Sequence, residues 1–439
     1  MNRATLALFL VLTASAQTHP NPPQTPSDAT SASAASPTSD KKAVQRDDYV
    51  GDVACSSCHQ GLVDTFHQTA HYLTSRLPSK DSIFGNFTPG ANILKTSNPD
   101  LFFRMEQKED EFLQTAVEGV PPYIESRTER FGLVIGSAGK GQTYLYWKDD
   151  RLFQLPVSYW NQLGWVNSPG YRDGVANFER PVIPRCLECH ATYFEPVPPP
   201  PNRYRRTGFV VGITCEKCHG AGREHVLRES GKAPVAADSA ILNPARFSRD
   251  RQMDLCAWCH KGHGIAIAPT FSYLPGEVLE QSIEFPRPDP NAQIDVHGDQ
   301  VDLLKRSRCF QSSAMTCLTC HNVHTTQHDL ASFSERCLSC HKPGTDAFPK
   351  MHHQADSNCI DCHMPKQDTN LIVFDWKGNK KKPQVRNHWI RVYRDTSPVS
   401  KSWCDGLVLG NVSADCGPQP FKAFDFYLSL PNRPPLKRN

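Results

Sequence analysis

Fourteen of the seventeen cysteines stand in seven copies of one pentapeptide, Cys-x-x-Cys-His. In order they are Cys55/Cys58/His59, Cys186/Cys189/His190, Cys215/Cys218/His219, Cys256/Cys259/His260, Cys317/Cys320/His321, Cys337/Cys340/His341 and Cys359/Cys362/His363. A two-residue gap lets both thiols reach the two vinyl groups of one porphyrin, and the adjacent imidazole then falls beneath the iron as its first axial ligand. Zinc also binds paired cysteines, but it does not require a histidine directly after every pair. Disulfides across such short loops would stabilise little. The pattern therefore implies seven covalently attached haem c groups.

The sixth ligand decides what such irons can do, because axial identity helps move haem potentials across about 0.8 V. Outside the motifs and the N-terminal His19, ten histidines remain: His67, His71, His225, His263, His297, His324, His328, His352, His353 and His388. Methionine is scarce, and Met315 and Met364 sit beside their own attachment motifs, where packing is the simpler role. Mostly bis-histidine, low-spin, low-potential irons follow. Filled coordination spheres change little on reduction, which suits electron transfer.

The rest of the chain must export, tether and enclose these groups. Arg3, an apolar run over residues 4–12 and Ala14-Ser15-Ala16 read as a signal peptide, residues 1–16. The run is far shorter than the roughly 20 residues of a spanning helix, and no cysteine follows the cleavage site to carry a lipid. A periplasmic or otherwise exported protein is expected, with no transmembrane segment after cleavage. Residues 17–48, rich in Pro, Ser, Thr and Ala, read as a disordered tether. A first haem segment then occupies residues 49–95, a β-rich insertion 96–182, a six-haem core 183–390 and a C-terminal tail 391–439. With 36 prolines and 38% hydrophobic residues, the expected fold is a multihaem cytochrome c of mainly short α-helices and loops wrapped around a haem core, with a small antiparallel β insertion.

Within the insertion, residues 131–135, 142–147 and 152–157 are strand-like, separated by turns at 136–141 and 148–151. The glycines of 136–141 fit neither the P-loop nor the dinucleotide pattern. Tyr159, Trp160, Trp165 and Tyr171 are expected to pack against porphyrin faces. Residues 61–73 read as a helix that points His67 or His71 at an iron, and Pro198 to Pro201 as a stiff spacer. Cys404 and Cys416 are candidates for a disulfide in an exported tail, and Cys309 for a buried thiol. The formal charge of +3 is nearly balanced and haem propionates would lower it, so redox proteins rather than nucleic acid are the expected partners. The basic runs at 203–206, 380–382 and 437–438 are solvated surface or a steering patch.

Several stretches resemble the multihaem cytochrome superfamily that includes hydroxylamine oxidoreductase, pentahaem nitrite reductase and the tetrahaem carriers of ammonia oxidation. Tyr49-Val-Gly-Asp-Val-Ala-Cys-Ser-Ser-Cys-His, followed by Phe66 and His71, is similar to the family's opening module. Cys215-Glu-Lys-Cys-His-Gly-Ala-Gly-Arg-Glu-His, Met315-Thr-Cys-Leu-Thr-Cys-His-Asn-Val-His, and Cys359-Ile-Asp-Cys-His-Met-Pro-Lys with Asn387-His-Trp-Ile-Arg resemble later modules. The resemblance implies His71, His225, His324 and His388 as distal ligands, with His353 or its neighbour His352 completing another site by position. The chain departs from nitrite reductases in lacking a Cys-x-x-Cys-Lys motif, which argues against ammonifying nitrite reduction. No catalytic residue is assignable. Three functions are compatible with these features: an electron carrier, an oxidoreductase of nitrogen or sulfur compounds with one five-coordinate haem, which would take a small inorganic substrate, and a subunit of a cytochrome filament.

Overall fold

Residues 101–105 alternate strictly in burial, Leu101, Phe103 and Met105 inward and Phe102 and Arg104 less so, the period of two that makes a one-faced strand. They begin the largest architectural feature of the computed structural model, which describes residues 45–137, 139–232, 241–262, 264–286, 299–342, 358–369, 373–376 and 379–393. Among the described residues, ten strands lie between positions 75 and 167: β1 (Ser75–Arg76), β2 (Ile93–Lys95), β3 (Leu101–Lys108), β4 (Glu111–Val120), β5 (Tyr123–Arg130), β6 (Leu133–Ile135), β7 (Gly141–Lys148), β8 (Arg151–Gln154), β9 (Val157–Trp160) and β10 (Gly164–Asn167). They form an antiparallel four-stranded sheet, β2-β3-β4-β5, and a six-stranded sheet, β1-β6-β7-β9-β10 with β8 added to β7. Tight turns set the register, Lys108 opposite Glu111 and Lys148 opposite Arg151, with Glu109 and Asp149 in the left-handed region.

The two sheets share one core, which includes Phe103, Met105, Phe112, Tyr144, Leu155 and Trp165. Gln114 crosses between them: its buried amide donates to the Val157 carbonyl at 3.1 Å and accepts from the Val157 N–H at 3.0 Å. Trp165 packs edge-on against Phe87 and donates Nε1 to the Asn86 carbonyl. Tyr171 donates its hydroxyl to Gln154 O. Trp165, expected against a porphyrin face, belongs instead to the β core, because the strand that carries it needs an apolar face of its own.

The remaining elements are short. Helices α1 (Asp52–Phe66), α2 (Pro184–His190), α3 (Cys215–His219), α4 (Arg223–Glu229), α5 (Arg249–His260), α6 (Gln300–Lys305), α7 (Arg308–Gln311), α8 (Leu330–Leu338) and α9 (Cys359–His363) are interspersed with two-stranded sheets. The sheets pair β11 (Ala191–Tyr193) with β12 (Val210–Val211), β13 (Ile265–Ala266) with β14 (Ile283–Glu284), β15 (Lys366–Asp368) with β18 (Gln384–Arg386), and β16 (Phe374–Trp376) with β17 (Asn379–Lys381). The expectation of mainly short helices and loops with one small β insertion is therefore corrected. Strand is about as abundant as helix, the insertion holds two sheets, and further antiparallel pairs lie among the attachment motifs. A helix at a motif needs to last only as far as its histidine, and the segments between motifs satisfy their backbone groups by pairing.

The helix expected over 61–73 ends at Phe66, where Thr69 Oγ1 caps the Phe66 carbonyl at 2.7 Å, and resumes as a 3-10 turn at Tyr72–Thr74. Beyond it, Gly212 at φ +69 approaches so closely that a Cβ would stand 2.3 Å from the Tyr72 carbonyl oxygen. Its N–H donates to Ser75 Oγ, which docks the first attachment segment on the chain between the second and third motifs. All described residues belong to one unit, Ala43–Asn439; residues 1–44, Cys404 and Cys416 lie outside them. No helix among them is long and apolar enough to cross a membrane.

Phe103 is fully buried in the β core, so Phe103→Ala should cost about 3–5 kcal/mol. The expected readout is a lower denaturant midpoint by circular dichroism, with haem content by mass unchanged.

Candidate haem centres

Each motif lies on about one helical turn. Motifs one to four and seven fall within α1, α2, α3, α5 and α9, the fifth on a 3-10 turn at Cys317–Thr319, and the sixth at the end of α8. Positions i, i+3 and i+4 share a helix face, so this local structure turns both sulfurs and the imidazole to one side. Caps start several of these turns where needed. Ser248 begins α5, Asp329 accepts from the Ala331 and Ser332 N–H groups to begin α8, and Asn358 begins α9.

Three pairs of imidazoles from remote parts of the chain face each other. Ring centroids are 6.0 Å apart for His71 and His260, 6.0 Å for His219 and His324, and 6.3 Å for His321 and His388. An imidazole nitrogen binds a transition metal at about 2 Å and its ring centre lies roughly 1 Å further back, so two trans ligands of one iron stand roughly 6 Å apart. The pairs thus fit iron between them, one ring of each belonging to a Cys-x-x-Cys-His motif.

Hydrogen bonding leaves the right nitrogen available. The Nδ1–H of His219 donates to Leu242 O at 2.8 Å, that of His388 to Arg386 O at 3.1 Å and that of His363 to Arg391 O at 3.0 Å. A carbonyl only accepts, so Nδ1 carries the proton and Nε2 keeps the lone pair a metal needs. Burial pushes His260 down to about 4, reinforced by His71, His388 and His321, and it also pushes His388 down to about 4. His71, His321 and His324 are lowered by the same cause. His260 and His71 nevertheless keep exposed surface, as expected of groups lining an internal cleft.

Other candidates are placed differently. His67 is committed elsewhere, its Nε2 bonded to Asp52 at 2.9 Å and its ring stacked on Tyr72 at 3.9 Å. His225 lies on α4 beside Arg228 and Glu229, with no motif imidazole facing it among the described residues. His263, His297, His352 and His353 lie outside the described residues. The basic run at 203–206 is largely neutralised: Arg203 pairs with Asp150, Arg205 with Glu195, and Arg206 lies over Trp147.

The attachment cysteines also meet between motifs. Cys55 lies beside Cys215, Cys189 beside Cys259, Cys256 beside Cys317 and Cys337 beside Cys359, close enough for each thiol to shift its neighbour. The contact holds Cys189 low and drives Cys259 up. Cys309, half-buried and raised by desolvation, lies in the field of Cys340.

Cys58 is exposed on α1, its sulfur 3.9 Å from Ser57 Oγ, and it takes part in none of the sulfur contacts between motifs just named. Cys362 is half-buried on α9. His341 is half-buried just beyond α8, with its backbone N–H donating to Cys337 O at 2.9 Å, and it belongs to none of the three imidazole pairs. Cys58, Cys362 and His341 lie toward the protein–water boundary. The physical reason is local: α8 and α9 bury one side chain each, Ser334 and Ile360, and α1 buries Asp52, Val63 and Phe66 but not its motif. Helices with so little apolar surface leave their motifs toward the protein–water boundary, and the part of these three residues in haem attachment rests on the motif spacing.

Some organising groups carry no sequence signal beyond a charge in an unexpected place. Glu216, inside the third motif, accepts from the N–H groups of Val50, Gly51 and Gly222 at 2.8–2.9 Å. It thereby clamps the entry of α1 to α3. Arg185 donates to Glu188, to Cys189 Sγ and to Trp258 O, joining the second and fourth motifs.

Residues 172–220, which hold the second and third motifs, match the family described as cytochrome c554 and c-prime. The solved structure of the outer cell wall cytochrome OcwA resembles this chain at a TM-score of 0.47 and 18% identity, over 79% of this chain and 80% of that one. No curated protein matches. The family match supports a multihaem c-type cytochrome with covalently bound haem c and a role in electron transfer.

His388→Met should raise the potential of one haem, the one attached at Cys317 and Cys320, and leave haem content intact. A superimposable redox titration would remove His388 from the axial set.

Proposed function

We propose that this chain is an exported heptahaem c-type cytochrome that transfers electrons between redox partner proteins through mostly bis-histidine haems. The observation that carries the reading is the set of three cross-chain imidazole pairs 6.0–6.3 Å apart, the span of trans ligands on one iron. Bound haem supplies a one-electron ferric/ferrous couple. The chain's part would be to hold an iron between the imidazoles of each of the three pairs, orient His219 and His388 through Nδ1–H bonds to carbonyls, and bring attachment sites together.

Sulfur adjacency supports an order for the transfer path. The second motif meets the fourth through Cys189 and Cys259, and the fourth meets the fifth through Cys256 and Cys317. Cys320 feels Cys340, and Cys337 meets Cys359, extending the series through the sixth motif to the seventh. The first motif abuts the third through Cys55 and Cys215. Covalent neighbours at these positions bring porphyrin edges together, which suits a wire. Arg3 with the apolar run of residues 4–12 supports export to the periplasm or beyond.

A second reading, an oxidoreductase of nitrogen or sulfur compounds, is favoured at one place. Among the described residues no second imidazole faces His59, which is exposed where α1 leaves helical geometry at φ −116° and ψ 32°.

Electron paramagnetic resonance of the oxidised holoprotein, with haem counted by mass, tests both. Seven haems, all low-spin, are expected of the carrier. One high-spin haem that binds nitrite, hydroxylamine or sulfite would replace it with the enzyme reading, and a mass short of seven haems would overturn the heptahaem assignment.

A further inference from the structure

The second variable residue of the third motif is Lys217, and its side chain is buried where three attachment motifs converge. It is 5% exposed. Its ammonium lies 3.7 Å from the ring centre of Trp258, the corresponding residue of the fourth motif, and 5.0 Å from that of Phe271. The second motif contributes Glu188, 3% exposed. Thus the same position of three consecutive motifs supplies a cation, an aromatic face and an anion to one buried cluster.

The anion is already engaged. Glu188 accepts from Arg185 Nη1 at 3.3 Å and from the Phe271 N–H at 2.7 Å. Phe271 itself stands at φ +64, a conformation that bulky residues rarely adopt, so the cluster keeps it there. Lys217 Nζ has one long hydrogen bond, 3.4 Å to Thr192 O, and no carboxylate oxygen among the described residues lies within 4.0 Å of it. Arg185 is the paired partner of Glu188, while ring faces supply much of what holds the Lys217 ammonium, with burial working against its charge and the nearby Glu188 favouring it. Such a charge is poorly screened and acts strongly over short distances.

Resting on the reading of these motifs as haem attachment sites, we propose that Lys217 is a fixed interior cation that raises the reduction potentials of the haems held by the second, third and fourth motifs. Reduction of an iron adds one electron, lowering the local charge by one, and a neighbouring cation favours that state over the oxidised one. The cluster would thereby set the thermodynamic slope at the junction where the sulfur contacts bring the second and fourth attachment sites together.

Lys217→Met, which keeps length and removes charge, tests this in the holoprotein by spectropotentiometric titration. At least one haem should move to lower potential, Lys217→Arg should hold the native potentials, and the shift should persist in about 1 M salt because a buried charge is not screened there. Superimposable titrations of the Met and native proteins, or a shift abolished by salt, would overturn the proposal. Haem count by mass is read separately, since a native protein with fewer than seven haems would instead defeat the attachment reading. If Lys217→Met lost haem, Lys217→Gln, neutral but polar, would be titrated with the same outcomes expected and excluded.

Discussion

Two imidazoles that share one iron must stand roughly 6 Å apart, and three pairs of histidines from remote parts of this chain meet that spacing. The motif supplies one ring locally, one helical turn from its sulfurs. The other must come from somewhere else in the chain. His71 follows the first motif yet faces His260 of the fourth, His324 follows the fifth yet faces His219 of the third, and His388 comes from the far end of the described chain to face His321. Each such pair closes a long loop, so haem coordination there would be coupled to tertiary folding.

Supports for those rings are ordinary backbone chemistry. Carbonyls of Leu242 and Arg386 fix the tautomers of His219 and His388. Glu216 gathers three N–H groups to bind α1 to α3, and Gly212 permits the close approach that seats the segment after His71. The β sheets share a core joined through the buried amide of Gln114, and the six-stranded sheet packs Leu133, Leu145 and Leu152 against Leu187 of the second motif.

Charge within the attachment region follows a different logic from charge on its surface. Arg203 and Arg205 are paired with carboxylates at the protein–water boundary, where solvent screens such pairs. Arg185, Glu188 and Lys217 are enclosed, and their field reaches the attachment sulfurs with little screening. Residues in the variable positions of the motifs therefore do more than space the cysteines.

The attachment chemistry was legible in the sequence because it is local: two thiols and an imidazole within five residues need no tertiary contact to declare themselves. The strand character of residues 131–157 was legible for the same reason, since alternation and turn residues are short-range signals. The extent of β structure was not, because pairs such as β11 with β12 or β15 with β18 are two or three residues long, too short to show a period. Nor was the depth of each motif: identical spacing leaves Cys58 exposed and Cys362 and His341 half-buried, while Glu188 and Lys217 are enclosed. The choice between His67 and His71, which share a helical face in sequence, was equally hidden. Only the fold commits His67 to Asp52 and Tyr72 and leaves His71 opposite His260. The sequence by itself determined the number and spacing of the Cys-x-x-Cys-His motifs. Tertiary structure alone decided which second imidazole serves which motif, and that a lysine between two cysteines lies buried against tryptophan, because those contacts join residues that only chain folding brings together.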